Sequence, residues 1–146
     1  MKYDDASWHS GRDFPKDSPE EFGETHIALM LKWCFIKGWA GPLHLQENRG
    51  DVEKLIRGKK SATEYFFQWC DGKFTDEYLT PEGNAFVAFY YGDGGAYLED
   101  YGTMFGDRMF VVGEEGHDFV RFSQMVERRY QEFLGPPSKR PRWKFW

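Results

Sequence analysis

Apolar positions along the chain recur with helical spacing over most of its length. The clearest run starts at Ser18: Phe22, His26, Leu29, Trp33 and Ile36 stand four and three residues apart, which is one face of a helix. Ile27, Leu31 and Cys34 widen that face, so the helix is expected to be buried over much of its surface. Ser18 supplies an N-cap, Pro19 suits the first helical position and Glu21 completes a capping box. Gly38 marks the stop. Gly41–Gly50 reads as a loop, followed by a short helix from Asp51 with Val52, Leu55 and Ile56 inward. Ser61 and Glu64 repeat the capping box and open a helix carrying Tyr65, Phe66, Trp69 and Cys70, which Asp71-Gly72 ends in a turn. Thr80 and Pro81 open another, with Phe86, Val87, Phe89 and Tyr90, broken by the glycines at 92–95. Ala96–Phe105 predicts one more short helix. The last runs from about Asp118 to Leu134, with Phe119, Phe122, Val126, Tyr130 and Phe133 inward and Arg121, Glu127, Arg128 and Glu132 outward.

Two stretches break the helical rhythm. Residues 1–17 read as an extended arm, because Asp13, Pro15 and Asp17 disfavour helix and Pro15 pushes Phe14 towards extended geometry. Met109–Val112 is strand-like but too short to stand alone, and the arm is a candidate partner for it. The expected fold is therefore mainly α: a single compact domain of five or six helices, a minor short-strand element and an extended N-terminal arm. The domain covers residues 1–135, and 136–146 form a basic-aromatic tail.

Composition adds two things. With fourteen Phe, eight Tyr and six Trp, the core is expected to be built largely from rings. Charge is unevenly placed: residues 1–24 hold seven acids and three bases, 25–134 seventeen and twelve, and 135–146 four bases and no acid. An acidic body repels nucleic-acid phosphate and suits a basic protein partner. The apolar runs Ile27–Leu31 and Trp33–Ile36 fall short of the roughly 20 residues of a membrane span. The charged N-terminus does not read as a signal peptide, and the two cysteines, Cys34 and Cys70, read as buried free thiols. These features point to the cytoplasm.

Candidate chemistry is sparse. Asp4, Asp5 and His9, with His26, offer ligand types that a metal ion or a small hydrolase site could use. They lack the completing half that a motif such as His-Glu-x-x-His supplies. The competing reading makes Tyr3 and Trp8 anchors of the arm on the core, with the carboxylates capping or pairing. His44 and His117 fall in predicted loops. Neither cysteine has a base at meaningful spacing, and the glycine-rich stretches match no P-loop, so neither a cofactor nor a catalytic constellation is expected. Tyr97, Glu99, Asp100 and Tyr101 interleave acids with tyrosines as protein-binding surfaces do, and with Asp4 and Asp5 they are candidate partner contacts. In the tail, Lys139, Arg140, Arg142 and Lys144 alternate with Trp143, Phe145 and Trp146. Such a segment can bind RNA, anionic lipid or an acidic groove, or fold back onto its own acidic body.

YDDASWH at 3–9, ETHIALMLKW at 24–33, WCDGKFTDEYL at 69–79, EGNAFVAFYY at 82–91 and YLEDY at 97–101 occur in this order. Together they resemble a family of small, acidic bacterial proteins of uncharacterised activity, over about residues 3–134. GDRMFVVGEEGHDF and the KRPRWKFW tail depart from that resemblance. Proteins of this kind are similar in size and charge to the immunity proteins encoded beside secreted bacterial toxins. The resemblance therefore implies a cytoplasmic, non-enzymatic immunity protein that binds a cognate toxin through the toxin's basic surface. A metal-binding protein or small hydrolase, and an adaptor with a docking tail, are the alternatives.

Overall fold

A computed structural model describes residues 1–8, without the Trp8 side chain, and 25–92, 94–106 and 112–136. The predicted helix start at Ser18, Pro19, Glu21 and Phe22, the possible ligand His9, the anchor Trp8 and residues 137–146 of the tail lie outside the described side chains.

The centre of the fold is α1 (Thr25–Ile36), in which every residue from Thr25 to Phe35 is buried. A helix that is apolar nearly all round must be wrapped on all sides, and the following elements do that. After α1, Gly38 takes φ +84°, and its N–H and that of Trp39 donate to the carbonyls of Phe35 and Cys34. This satisfies the open helix end as the sequence predicts. α2 (Pro42–Glu47) and α3 (Arg49–Ile56) come next, then α4 (Ala62–Cys70), with α3 and α4 packed on α1. Ser61 Oγ accepts from the Glu64 N–H at the start of α4. Asp71 and Gly72 both take positive φ and turn the chain into β2 (Lys73–Thr75). α5 (Pro81–Tyr90) starts with Thr80 Oγ1 accepting from the Gly83 N–H. α6 (Tyr97–Phe105) and α7 (Gly116–Leu134) complete the domain, with α7 against α5.

Two expectations change, and a third lies mostly outside the described residues. Gly41–Gly50 is not all loop: Pro42 sits at the first helical position and opens α2. That extra element brings the described helices to seven rather than five or six. The arm does form a strand, β1 (Lys2–Asp5), but its antiparallel partner is β2, with Asp4 opposite Phe74 and Asp5 opposite Lys73. Of the predicted Met109–Val112 strand, only Val112 is described, and it is buried outside any strand.

The core is aromatic. Trp33, Trp39, Phe86 and Tyr130 meet edge-on or tilted at centroid distances of 5.2–6.2 Å, tying α1, α5 and α7 together. Gly83 admits Trp39: a Cβ there would lie 2.9 Å from the Trp39 Cβ. Lys32, which interrupts the apolar pattern of α1, is buried. Its ammonium donates to the Glu114 carbonyl at 3.0 Å and lies over the Phe119 ring. The Glu114 carboxylate in turn accepts from the Thr63 N–H and hydroxyl at the start of α4.

Candidate functional site

The arm brings Asp4 into the interior. Its Oδ2 accepts a short hydrogen bond from the Tyr91 hydroxyl and lies 3.5 Å from His26 Nε2, while its Oδ1 accepts from the Asp5 N–H at 2.8 Å. Tyr97 donates to the His26 carbonyl, and Tyr101 flanks the imidazole at 5.8 Å. Burial, reinforced by Asp4, pushes the Tyr91 phenol well above its ordinary pKa; burial does the same for Tyr97, so both remain donors. Asp4 is 3% exposed and His26 7%. The grouping has an acid, an imidazole and phenols, but the fold closes over it.

Asp5 faces a different set of partners. It accepts from Lys2 Nζ at 2.9 Å and from the Ser7 N–H and hydroxyl at 2.9 and 2.8 Å. The Lys2 hydrogen bond is the main cause that holds its carboxyl down at about 2. Among the described residues, no three His, Cys, Asp or Glu side chains gather as a metal site would need. Tyr3 anchors the arm as predicted: its hydroxyl donates to Asn84 Oδ1 at 2.8 Å and its ring meets Phe74 edge-on.

A second buried histidine cluster escaped the sequence reading. α2 carries His44 inward beside Tyr65 and Cys70 of α4. The Tyr65 hydroxyl lies 2.6 Å from His44 Nδ1, Asn48 Nδ2 lies 3.2 Å from the same nitrogen, and Cys70 Sγ is 3.9 Å from Nε2. Cysteine, histidine and asparagine in contact suggest a thiol nucleophile, but the hydrogen bonds assign the opposite roles. Nδ1 faces the donors Tyr65 and Asn48 and accepts, so the neutral ring carries its proton on Nε2, towards the sulfur. An activating base would have to present a lone pair there. Burial lowers the His44 pKa to about 4 and raises the Cys70 thiol, so both stay neutral. The spacing of His44 and Asn48, one helical turn apart behind Pro42, was the available sign.

The tyrosines of the 97–101 segment are also turned inward. Tyr97 and Tyr101 are buried. Asp100 accepts Nε and Nη2 of Arg129 at 2.8 and 2.9 Å and the Tyr90 hydroxyl at 2.8 Å, clamping α5, α6 and α7. The Arg129 bonds are the first cause of its lowered pKa. Of the six predicted contact residues, Asp4, Asp5, Tyr97 and Tyr101 are buried, Asp100 is engaged, and Glu99 alone is exposed.

Among the described residues, one concavity is a groove of about 680 Å³ between the C-terminal half of α1 and the flank of α7. Trp33, Ile36 and Phe119 make its lining mainly apolar; Ser123, Gln124 and Glu127 add polar groups from one side of α7. Ile36, predicted to face the core, is 44% exposed here. Lys37 spans the groove: it pairs with Glu127 at 2.6 Å and lies over the rings of Trp33 and Tyr130.

A family model, described as a domain of unknown function, DUF7832, matches residues 2–112. The chain belongs to this family. The matched residues carry β1, α1 to α6 and both histidine clusters, whereas α7 and the tail lie beyond them. The groove thus joins a wall inside the family domain to one outside it. No curated protein and no solved structure matches the chain.

Proposed function

We propose that the protein acts by binding another protein, and that it is an immunity protein which neutralises a cognate antibacterial toxin. The observation that carries this reading is a contrast in access. Among the described residues, the groups with chemical character (Asp4, His26, His44 and Cys70) are buried in the core, while the α1–α7 groove is open, mainly apolar and flanked by polar and charged side chains. A surface of that kind suits a protein partner, with aromatic and aliphatic groups supplying burial. The acidic body would steer a basic toxin surface towards it. The resemblance to immunity proteins in size and charge supports this reading, and the compartment would be the cytoplasm.

The test is calorimetric titration of the purified protein with the product of the adjacent gene, alongside rescue of cells that express that product. A saturable complex and rescue are expected. Ile36→Glu should weaken the complex at least about tenfold, the equivalent of roughly 1.4 kcal/mol. Absence of both complex and rescue overturns the proposal.

A further inference from the structure

The outer face of α3 and the turn that follows it carry charge of the opposite sign to the chain as a whole. Residues 49–60 hold five bases (Arg49, Lys54, Arg57, Lys59 and Lys60) against two acids, Asp51 and Glu53, in a chain of net charge −5. Val52 and Leu55 turn into the core, which leaves Arg49, Glu53, Lys54 and Arg57 exposed. Gly58 takes φ +74°, and the N–H groups of Lys59 and Lys60 donate to the Lys54 carbonyl at 2.8 and 3.3 Å. The turn therefore keeps both lysines beside the helix end. Bases in a last turn complement the helix dipole, but Arg49 stands in the first turn, where the dipole opposes it. Among the described residues, Arg49, Arg57 and Lys59 enter no ion pair.

A fixed aromatic ring stands beside this charge. Trp69 of α4 is 40% exposed, and its Nε1–H donates to Asp51 Oδ2 at 2.7 Å. Lys54 and Lys60 lie 3.8 and 3.5 Å from the same carboxylate. The Trp69 bond is the first cause that holds the Asp51 carboxyl below the usual carboxylate range, so the acceptor stays charged. A large ring whose orientation is set in advance loses little freedom on contact, as an interface anchor should. The sign of the patch calls for an anionic occupant, and its extent calls for a short one. The eight residues of α3 span about 12 Å at ~1.5 Å per residue, the length of roughly four residues of extended chain. Beyond the patch the surface turns acidic again, at Glu47 before α3, at Glu64 of α4 and at Glu115, which lies close to Gly58. Nucleic acid or an anionic bilayer would run onto these carboxylates, whereas a short acidic peptide stays within the bases.

We propose that the α3 face is a second interaction surface, which binds a short acidic segment of a partner protein: Arg49, Lys54 and Arg57 take its carboxylates and Trp69 its apolar side chain. The surface shares no residue with the α1–α7 groove and does not rest on the toxin reading. The test is fluorescence anisotropy on the full chain at low salt, with a fluorescein-labelled peptide Glu-Glu-Leu-Glu-Glu-Leu-Glu-Glu. A lysine-for-glutamate version, single-stranded oligothymidylate and phosphatidylserine vesicles are the competing probes. Saturable binding of the acidic peptide is expected, fading as salt rises. Lys54→Glu with Arg57→Glu should weaken it by about tenfold or more, and Trp69→Ala by a smaller factor. These side chains are exposed, and circular dichroism checks that the variants fold; Arg49→Gln with Arg57→Gln, which adds no new repulsion, is the milder second probe and should act in the same direction. No saturable binding, or binding that the charge changes leave unaltered, overturns the proposal. So does tighter binding of oligothymidylate or vesicles, which would assign the face to another class of partner. Self-association abolished by the same substitutions also overturns it, by placing a second copy there.

Discussion

The two ends of α1 hold opposite kinds of surface. At its start, His26 sits under the N-terminal arm with Asp4, Tyr91 and Tyr97, in a polar cluster that the fold closes over. At its end, Trp33, Ile36 and Lys37 line an open groove with little chemistry of its own. The residue types that attract attention in a sequence are at the first end, and an accessible groove is at the second. A buried carboxylate with a phenol and an imidazole around it can hold an arm in place just as it could run a reaction, and access separates the two roles. Here the carboxylate joins β1 to α1 and α5.

That contrast can be broken most forcefully at Asp4. Asp4→Ala removes the acceptor of the Tyr91 hydroxyl and a partner of His26, and should destabilise the fold by about 2–5 kcal/mol, because each buried polar group left without its partner costs about 1–3 kcal/mol. Urea denaturation reads it. An effect under about 0.5 kcal/mol, the range of surface positions, would mean that Asp4 is not held as described.

Next in size is the response to acid. The His44 pKa falls from 6.5 to about 4 on folding, so the unfolded chain binds more protons between those values. Its contribution is full above pH 6.5 and is lost as the pH drops through about 4, up to roughly 3 kcal/mol in all. Asp5, held near 2, carries the same sign to lower pH, being stabilising above about 3.8 and lost below. Stability curves for the wild type and His44→Gln should diverge over pH 6.5–4; parallel curves would remove His44 as the cause.

Arg129→Met should cost about 1–2 kcal/mol, because Asp100 loses a bidentate partner but keeps the Tyr90 hydroxyl. Thermal unfolding of this variant sharpens the view that Asp100 serves the fold. Smallest of all should be Ile36→Glu at the groove, within about 0.5 kcal/mol of the wild type, because its side chain is partly in solvent and outside the buried core.

The sequence made the helices legible where caps and periodicity agreed. Ser61 with Glu64, Thr80 with Pro81 and Gly38 all do in the structure what their residue types predict. It also indicated that α1 is buried over much of its surface and that Tyr3 anchors the arm. It missed α2, because Pro42 inside a polar stretch looks like loop punctuation until the turn that follows is seen to be helical. It offered Tyr97 and Tyr101 as surface contacts because an acid–tyrosine alternation on a short element carries no depth information. Only the packing of α6 under Phe122 of α7 decides that the rings go in. The groove was invisible for a similar reason: Ile36 continues the apolar face of α1, and nothing local says that the face outruns its cover.

The measurement that bears most directly on this division of labour is a rescue assay in cells expressing the toxin-like product of the neighbouring gene. It would compare wild type, Ile36→Glu and Asp4→Asn, each shown to be folded. The expected result is rescue by the wild type and by Asp4→Asn, and loss of rescue with Ile36→Glu. The opposite pattern, with Ile36→Glu protective and a folded Asp4→Asn inactive, would move function into the sealed cluster and contradict the assignment of the groove as the working surface.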